Sequence, residues 1–192
     1  DEEGNLIQEI VTDENSNETM IYEHSYDEQG NPLTIMVKEG DSVSLGTEWT
    51  YDEKGQLIRK HHNYTDEFFV TWEYAYDANG NVLTEASYED GKLSYEQRYT
   101  YTADGKLARE SYINSDGLEE AYTENTYDDQ GNLLSVKVDG MLSGSYVTYE
   151  NTYENGKLVE VKVYDQWEQD GELTNLVRYD AQGNITLRVG YE

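Results

Sequence analysis

Hydrophobic and polar residues alternate along this chain in short stretches separated by turn-forming residues, a pattern typical of antiparallel β-strands joined by hairpins. One face of the predicted strand that ends at Tyr76 is formed by Phe68, Val70, Trp72 and Tyr74. The residues between them are less apolar, and a glutamate recurs three positions before most of the equivalent tyrosines. We therefore predict one sheltered aromatic face and one acidic, solvated face.

A phrase of the form Tyr-Asp-x-x-Gly-Asn-Leu recurs in steps of 25 or 26 residues. Its tyrosines, called motif tyrosines below, are Tyr26, Tyr51, Tyr76, Tyr101, Tyr127, Tyr153 and Tyr179. The chain opens inside the same phrase, at Asp1, without the tyrosine. A fixed period of this length indicates a repeat architecture in which each unit buries its apolar face against its neighbours. We expect residues 1–192 to be a single array and a segment of a longer chain.

The phrase itself predicts a turn. Asp52 can accept hydrogen bonds from backbone amides two residues on, and Gly55 supplies a positive φ, which together favour a type I turn followed by a glycine bulge. In that geometry Tyr51 faces Leu57 across the hairpin. Counting outward from there predicts Glu48 opposite Lys60, and Trp49 opposite Arg59.

A second turn is needed about half a period later in each repeat. Candidates lie at residues 38–41, 88–91, 114–117 and 138–140. Two strands per repeat give about 15 strands in all. The predicted fold class is therefore all-β, an antiparallel meander of about seven hairpin repeats. So wide a sheet is expected to twist or curl, towards an open barrel or a spiral.

Charge and composition narrow the range of functions. The chain has 41 acidic and 13 basic residues, a net charge of −28. Nucleic-acid binding and docking on anionic membranes both depend on lysine and arginine, so the composition argues against them. There is no cysteine, which excludes disulfides and thiolate chemistry. No apolar run approaches the roughly 20 residues of a membrane-spanning helix.

Residues 49–57, 74–82 and 99–107 resemble the YD repeat of bacterial RHS-type surface and secreted proteins. The resemblance covers essentially the whole chain and rests on seven spaced copies of the motif tyrosine. It implies successive hairpins in a long spiralling sheet, in a bacterial protein of the cell surface or extracellular space. The period is longer than in that family, and no self-cleaving segment or toxin domain is recognisable, so the resemblance does not imply toxin delivery.

The sequence gives no sign of an enzyme. His24, His61 and His62 are the only histidines, and adjacent residues of a strand point to opposite faces. His24 occupies an aromatic position two residues before Tyr26, which favours packing. Carboxylates are so numerous that no pair is distinguished as catalytic. We therefore predict a non-enzymatic protein without a cofactor.

The aspartate and asparagine residues of the motif turns raise the question of calcium binding. Each turn places an aspartate near an asparagine, as at Asp27 and Asn31, and calcium prefers six to eight such oxygen ligands. The spacing matches neither an EF-hand nor a glycine-rich calcium roll. Because aspartate and asparagine are also the residues that the turn requires, turn structure is favoured over calcium binding.

The aromatic face supplies the candidate ligand-binding residues, which are Tyr22, Trp49, Trp72, Tyr74, Tyr99 and Tyr149. Such a row is commonly the core of a thin sheet, but it can also stack sugars or hold an extended chain. We predict a structural or interaction module with a protein or glycan partner, and a carbohydrate-binding surface is the alternative. The end strands of an open sheet can also pair with flanking repeats or another chain.

Overall fold

The computed structural model describes residues 2–12, 18–65, 67–140, 145–166 and 172–190. Its regular elements are fifteen β-strands. They are β1 (Gln8–Thr12), β2 (Thr19–Tyr26), β3 (Pro32–Glu39), β4 (Ser42–Tyr51), β5 (Leu57–Asn63), β6 (Phe69–Tyr76), β7 (Val82–Glu89), β8 (Lys92–Tyr101), β9 (Leu107–Asn114), β10 (Glu119–Tyr127), β11 (Leu133–Gly140), β12 (Ser145–Glu154), β13 (Lys157–Gln166), β14 (Glu172–Tyr179) and β15 (Ile185–Gly190).

The all-β, antiparallel fold class is confirmed. The strands are hydrogen-bonded in sequence order, with β1 and β15 at the two ends, so the described strands form an open sheet. No helix occurs among the described residues. The chain divides into two compact units, residues 1–95 and 96–192. The first unit contains β1 to β7, the second contains β9 to β15, and the division falls within β8.

The motif turns have the predicted geometry. The Asp52 N–H donates to the Gln56 carbonyl at 2.9 Å, and the Gly55 N–H donates to the Asp52 carbonyl at 3.0 Å. Gly55 has a φ of +78°, a region that other residues rarely occupy. The Asp52 carboxylate also accepts the N–H groups of Lys54 and Gln56. The aspartate side chain therefore organises the turn, and equivalent bonds occur at Asp27, Asp77, Asp128 and Asp180.

The cross-strand register is correct at the turn and one residue off beyond it. Tyr51 faces Leu57 as predicted, but Thr50 faces Arg59, because a β-bulge leaves Ile58 without a partner on β4. Glu48 is therefore opposite His61, and Trp49 is opposite Lys60, so the two predicted pairs are wrong. The same shift occurs beside Tyr26, Tyr76, Tyr127, Tyr153 and Tyr179.

Three of the four predicted second turns are present. Residues 40–41 join β3 to β4, and residues 90–91 join β7 to β8. Asp90 and Gly91 have φ values of +48° and +76°, as a type I′ hairpin turn requires. In the third, the Asn114 N–H donates to the Leu118 carbonyl. Residues 138–140 belong to β11 instead, and the connection that follows lies outside the described residues.

In the first unit, side chains on both faces of the sheet are buried. Adjacent residues of β6, Val70 and Thr71, are each 7% exposed although their side chains point to opposite faces. The His61 ring bonds to Thr71 on one face, and the His62 ring bonds to Thr47 on the other. The prediction of one wet face therefore fails at the middle of these strands. It holds close to the motif turns, where Glu73 is exposed.

Among the described residues of the second unit, Ile113 is the most buried at 2% exposed, and Ser111 lies two residues before it on the same face of β9. Leu176 of β14 is also buried. On the face shared by β9, β10 and β11, the Arg109 guanidinium stacks on Tyr122 at 3.9 Å and bonds to Glu119 and Glu124. These strands are thus held by a short apolar core and a satisfied ionic cluster.

Candidate functional site

The tyrosine face, defined as the face to which the motif tyrosines point, contains the predicted aromatic row. In the first unit Trp49 and Trp72 lie on β4 and β6, and both are cross-strand partners of Lys60 on the strand between them. The Lys60 ammonium is 5.9 Å from the Trp49 ring centroid and 5.0 Å from that of Trp72. Both rings therefore contact a cation through their electron-rich faces.

Sequence counting predicted a different cation for Trp49. Arg59 was expected opposite this ring, whereas the bulge at Ile58 turns Arg59 to the other face, where it bonds to Glu48 at 3.3 Å. The register shift thus decides which cation reaches the aromatic row. It also makes Trp49, Lys60 and Trp72 a single stack across three strands. The stack stabilises the sheet, and the Lys60 side chain covers ring surface that a ligand would otherwise contact.

Tyr74 is half-buried on β6, two residues beyond Trp72. Its pKa is raised by burial and, to a smaller extent, by the nearby charge of Glu85, its cross-strand partner. The neutral phenol is therefore the form present at physiological pH. This environment resembles the edge of a core more than an open sugar-stacking platform.

Tyr22 borders a groove of about 730 Å³ on the tyrosine face of the first unit. The groove is bordered by strands β2 to β5, and its lining includes Tyr22, Val37, Gly46, Thr47, His62 and Tyr64. Aromatic side chains thus combine with hydroxyl and imidazole groups in one depression. The lining also includes the acidic side chain of Glu39, so the groove combines aromatic, neutral polar and charged groups.

The shape of this groove depends on Gly46. A Cβ at this position would lie 2.8 Å from Val37 Cγ2 and 3.2 Å from the Ile35 carbonyl oxygen. The strand is bulged here, since Ile35 faces Thr47 while Met36 faces Leu45. Close approach of β3 and β4 therefore requires glycine. The sequence offered no signal for this groove beyond an isolated glycine within a strand.

The two remaining residues of the row belong to the second unit. The Tyr99 hydroxyl on β8 bonds to the Gln97 side chain at 3.2 Å. Tyr149 on β12 lies between Val136 and Val163 of its neighbouring strands and is 39% exposed. Tyr149 is thus the most open member of the row, since the other five side chains are half-buried. Whether the six residues bind a ligand stays a prediction.

His61 and His62 serve as structural hydrogen-bonding groups. His61 Nδ1 is 2.8 Å from Thr71 Oγ1, and its Nε2 is 3.0 Å from Asn63 Oδ1. His62 Nδ1 is 2.8 Å from Thr47 Oγ1, on the opposite face as predicted. Burial, and then the charges of Lys60 and His61, lower the pKa of His62. His62 is therefore neutral at pH 7.

His24 lies opposite Ile35, in the packing position that the sequence predicts. Its Nε2 is buried and has no hydrogen-bond partner among the described residues. The ring therefore has the surroundings of a packing residue.

The motif aspartates use their oxygens within the turn. Asp77 accepts N–H groups of Asn79 and Asn81 through Oδ1, and the Asn81 side-chain amide through Oδ2 at 2.9 Å. These bonds, the side-chain amide first, lower the pKa of Asp77. No cluster of three or more metal-ligating residues is found within the described ranges. The carboxylates therefore have a structural role that competes with calcium coordination.

The main feature that sequence reasoning missed is a contact between repeats. The Tyr51 hydroxyl donates to the Pro32 carbonyl at 2.9 Å, and the Tyr76 hydroxyl donates to the Leu57 carbonyl at 2.8 Å. Each acceptor lies six residues after the motif tyrosine of the preceding repeat. We call this hydrogen bond the tyrosine bridge, and it also joins Tyr26 to Leu6 and Tyr127 to Leu107.

Three comparisons place the chain among known proteins. A family model described as "Uncharacterised protein" matches residues 6–185. No curated protein matches the chain. A solved structure titled "Crystal Structure of TcdB2-TccC3-Cdc42" matches 93% of this chain with a TM-score of 0.59 and 15% sequence identity. This chain spans 12% of the length of that one. At this sequence identity the likeness shows a related fold alone.

No helix long and apolar enough to cross a membrane is found among the described residues.

Proposed function

This chain belongs to the family described as "Uncharacterised protein", and we propose that it is a non-enzymatic repeat module with a structural or interaction role in a bacterial protein of the cell surface or extracellular space. The proposal rests on how the polar side chains are used. Groups that would perform chemistry in an enzyme instead hold turns and neighbouring strands together.

The tyrosine bridge is the observation that supports this role most directly. A phenol hydroxyl is an acid–base group in many active sites, yet here it is bonded to the backbone of the preceding repeat in four described cases. The bond recurs at the repeat period, whereas a catalytic group is needed at one place. Periodic use of the same hydrogen bond is the property of an architectural element.

The resemblance supports this setting, because YD-type repeats imply a bacterial surface or secreted protein. The net charge of −28 is compatible with it, since like charges oppose association of a wide sheet. The matched solved structure bears a title naming TcdB2, TccC3 and Cdc42 together. By analogy, we propose that the present chain also binds protein partners.

Protease treatment of intact bacteria that produce the full-length protein tests the setting. We expect the chain to be cleaved on intact cells, or recovered from the medium, while a cytoplasmic marker stays protected. Cleavage only after lysis would contradict a surface or extracellular location. Hydrolysis of a polymer that is lost on replacing one carboxylate would contradict a non-enzymatic role.

A carbohydrate-binding surface is the second candidate, and the groove beside Tyr22 is the observation that favours it. A glycan array probed with the wild-type chain tests this function. Loss of binding in Tyr22→Ala would place the sugar in the groove, and loss in Trp72→Ala would place it on the aromatic stack. If no glycan is retained by the wild-type chain, this candidate is wrong.

A further inference from the structure

The groove beside Tyr22 follows one strand of the first unit. Ile35, Val37 and Glu39 alternate along β3, share the tyrosine face and all line the groove. Ile35 and Glu39 are four residues apart, which corresponds to about 13 Å along an extended strand. The groove is therefore longer than one sugar ring, and its length suits a short oligosaccharide.

The floor of the groove is open at Gly46, which has no side chain to fill the space beside Val37. The next residue, Thr47, is 4% exposed, and its hydroxyl is 2.8 Å from His62 Nδ1. This bond fixes the imidazole ring at one end of the groove. A neutral imidazole has a second nitrogen, here Nε2, for a hydrogen bond to a ligand hydroxyl.

Two tyrosine rings border the groove. Tyr64 is 57% exposed, and its ring contacts that of His62 edge to face, with 4.4 Å between the centroids. The Tyr22 hydroxyl donates to Met20 Sδ at 3.4 Å, which orients the second ring. Tyrosine supplies rigid contact area at a low cost in conformational entropy. The two rings therefore provide apolar surface against which the C–H face of a sugar packs.

The charges around the groove favour a cationic ligand. Glu39 is exposed, and the described lining residues include no lysine or arginine. Nearby cations are used elsewhere, since Lys38 bonds to Glu23 on the opposite face and Lys60 contacts two tryptophan rings. Residues 1–95 contain 22 acidic and five basic residues. The resulting negative potential repels anionic ligands and raises the local concentration of cationic ones.

We propose that this groove binds an oligosaccharide of amino sugars whose ammonium groups are free. One ammonium group pairs with the Glu39 carboxylate, the sugar rings lie against Tyr22 and Tyr64, and sugar hydroxyls bond to His62 and Ser44. A neutral sugar leaves Glu39 without a partner, and a linear polyamine makes no use of the tyrosine rings. This inference rests on the second proposed function, a carbohydrate-binding surface, and names its ligand class.

Three probes separate the parts of this ligand, and calorimetric titration measures their binding to the full chain. Chitosan trisaccharide has sugar rings and free amines, chitin trisaccharide has the same rings with every amine acetylated, and spermidine has amines without rings. The titration is performed at about pH 6, where the amines are protonated, and in about 0.15 M salt, which screens distant charges. We expect chitosan trisaccharide to bind about fivefold more tightly than chitin trisaccharide. Spermidine should bind more weakly than chitosan trisaccharide.

Three variants separate this groove from general attraction to an acidic chain. Glu39→Gln should weaken binding of chitosan trisaccharide by about fivefold and leave chitin trisaccharide unchanged. Glu53→Gln is the matched control, because Glu53 is an exposed glutamate of the same unit in a motif turn outside the groove. Tyr64→Ala should weaken both trisaccharides by about fivefold and leave spermidine unchanged. Circular dichroism verifies that each variant is folded.

Several outcomes would overturn the proposal. These are equal effects of Glu39→Gln and Glu53→Gln, or spermidine binding as tight as that of chitosan trisaccharide. Equal affinity for the two trisaccharides, with loss of both in Tyr64→Ala, would overturn the amino-sugar inference and leave a neutral carbohydrate site standing. Absent binding of both trisaccharides would also overturn this inference, whereas the glycan array decides the broader carbohydrate function with other sugars.

Discussion

Replacing Tyr76 with phenylalanine tests the tyrosine bridge with the smallest change available. The ring stays in place, while the hydroxyl that donates to the Leu57 carbonyl at 2.8 Å is removed. A single hydrogen bond contributes about 1 kcal/mol net to stability. For a chain of this length that corresponds to a fall in Tm of about 3 °C. In a urea titration the free energy of unfolding should decrease by about 1 kcal/mol, with an unchanged m-value.

The matched control is Tyr64→Phe. Tyr64 is 57% exposed and contacts His62 and Phe68 through its ring, which the substitution preserves. We expect a change below about 0.5 kcal/mol. Equal losses of stability in the two variants would refute the bridge as a stabilising contact.

Alkaline titration tests the surroundings of the same hydroxyl group. Burial, and then the charges of Asp52 and Glu85, raise the pKa of Tyr76 above its usual value of 10. The unfolded chain therefore loses this proton at a lower pH than the folded chain does. Stability from Tyr76 is complete below pH 10 and is lost as the pH rises towards the folded-state pKa. The wild-type chain should lose more stability above about pH 10 than Tyr76→Phe does.

Other substitutions and conditions test the turns. Gly80 has a φ of +93°, so Gly80→Val should cost about 2 kcal/mol in a urea titration, and a loss below about 0.5 kcal/mol would contradict the turn geometry. The depressed pKa of Asp77 means that its stabilising effect is present near neutral pH and is lost as the pH falls below about 4. Asn81→Ala removes the first cause of that shift and should move acid unfolding, followed by circular dichroism, to higher pH. Added calcium should change Tm by less than about 1 °C, and a rise that grows with calcium concentration would show specific binding.

The sequence alone predicts much of this fold because the turns have a strong local chemistry. Asp52 and Gly55 specify their turn through short-range bonds, and the pairing of Tyr51 with Leu57 follows from it. Beyond the turn, simple alternation fails, because a bulge at Ile58 adds one residue to one strand only. A bulge of this kind depends on twist and packing, which hydropathy does not encode.

The contacts between repeats are harder to read from the sequence. The tyrosine bridge joins residues 19 or 20 positions apart, such as Tyr76 and Leu57, and its acceptor is a backbone carbonyl that any residue supplies. The constant spacing of the motif tyrosines is the sequence signal for this contact. It identifies the acceptor carbonyl only once the register between repeats is known. The groove beside Tyr22 likewise depends on a close approach at Gly46 that requires three-dimensional positions.

The register between adjacent repeats is the central claim, and a pair of engineered cysteines tests it most directly. Arg59 and Glu73 are cross-strand partners on β5 and β6, whereas Lys60 points to the face opposite Glu73. In the double variant Arg59→Cys/Glu73→Cys we predict rapid disulfide formation under mild oxidation, detected by mass spectrometry of the digested chain. Lys60→Cys/Glu73→Cys should stay reduced under the same conditions. The reverse outcome, or equal oxidation of the two variants, would contradict the account.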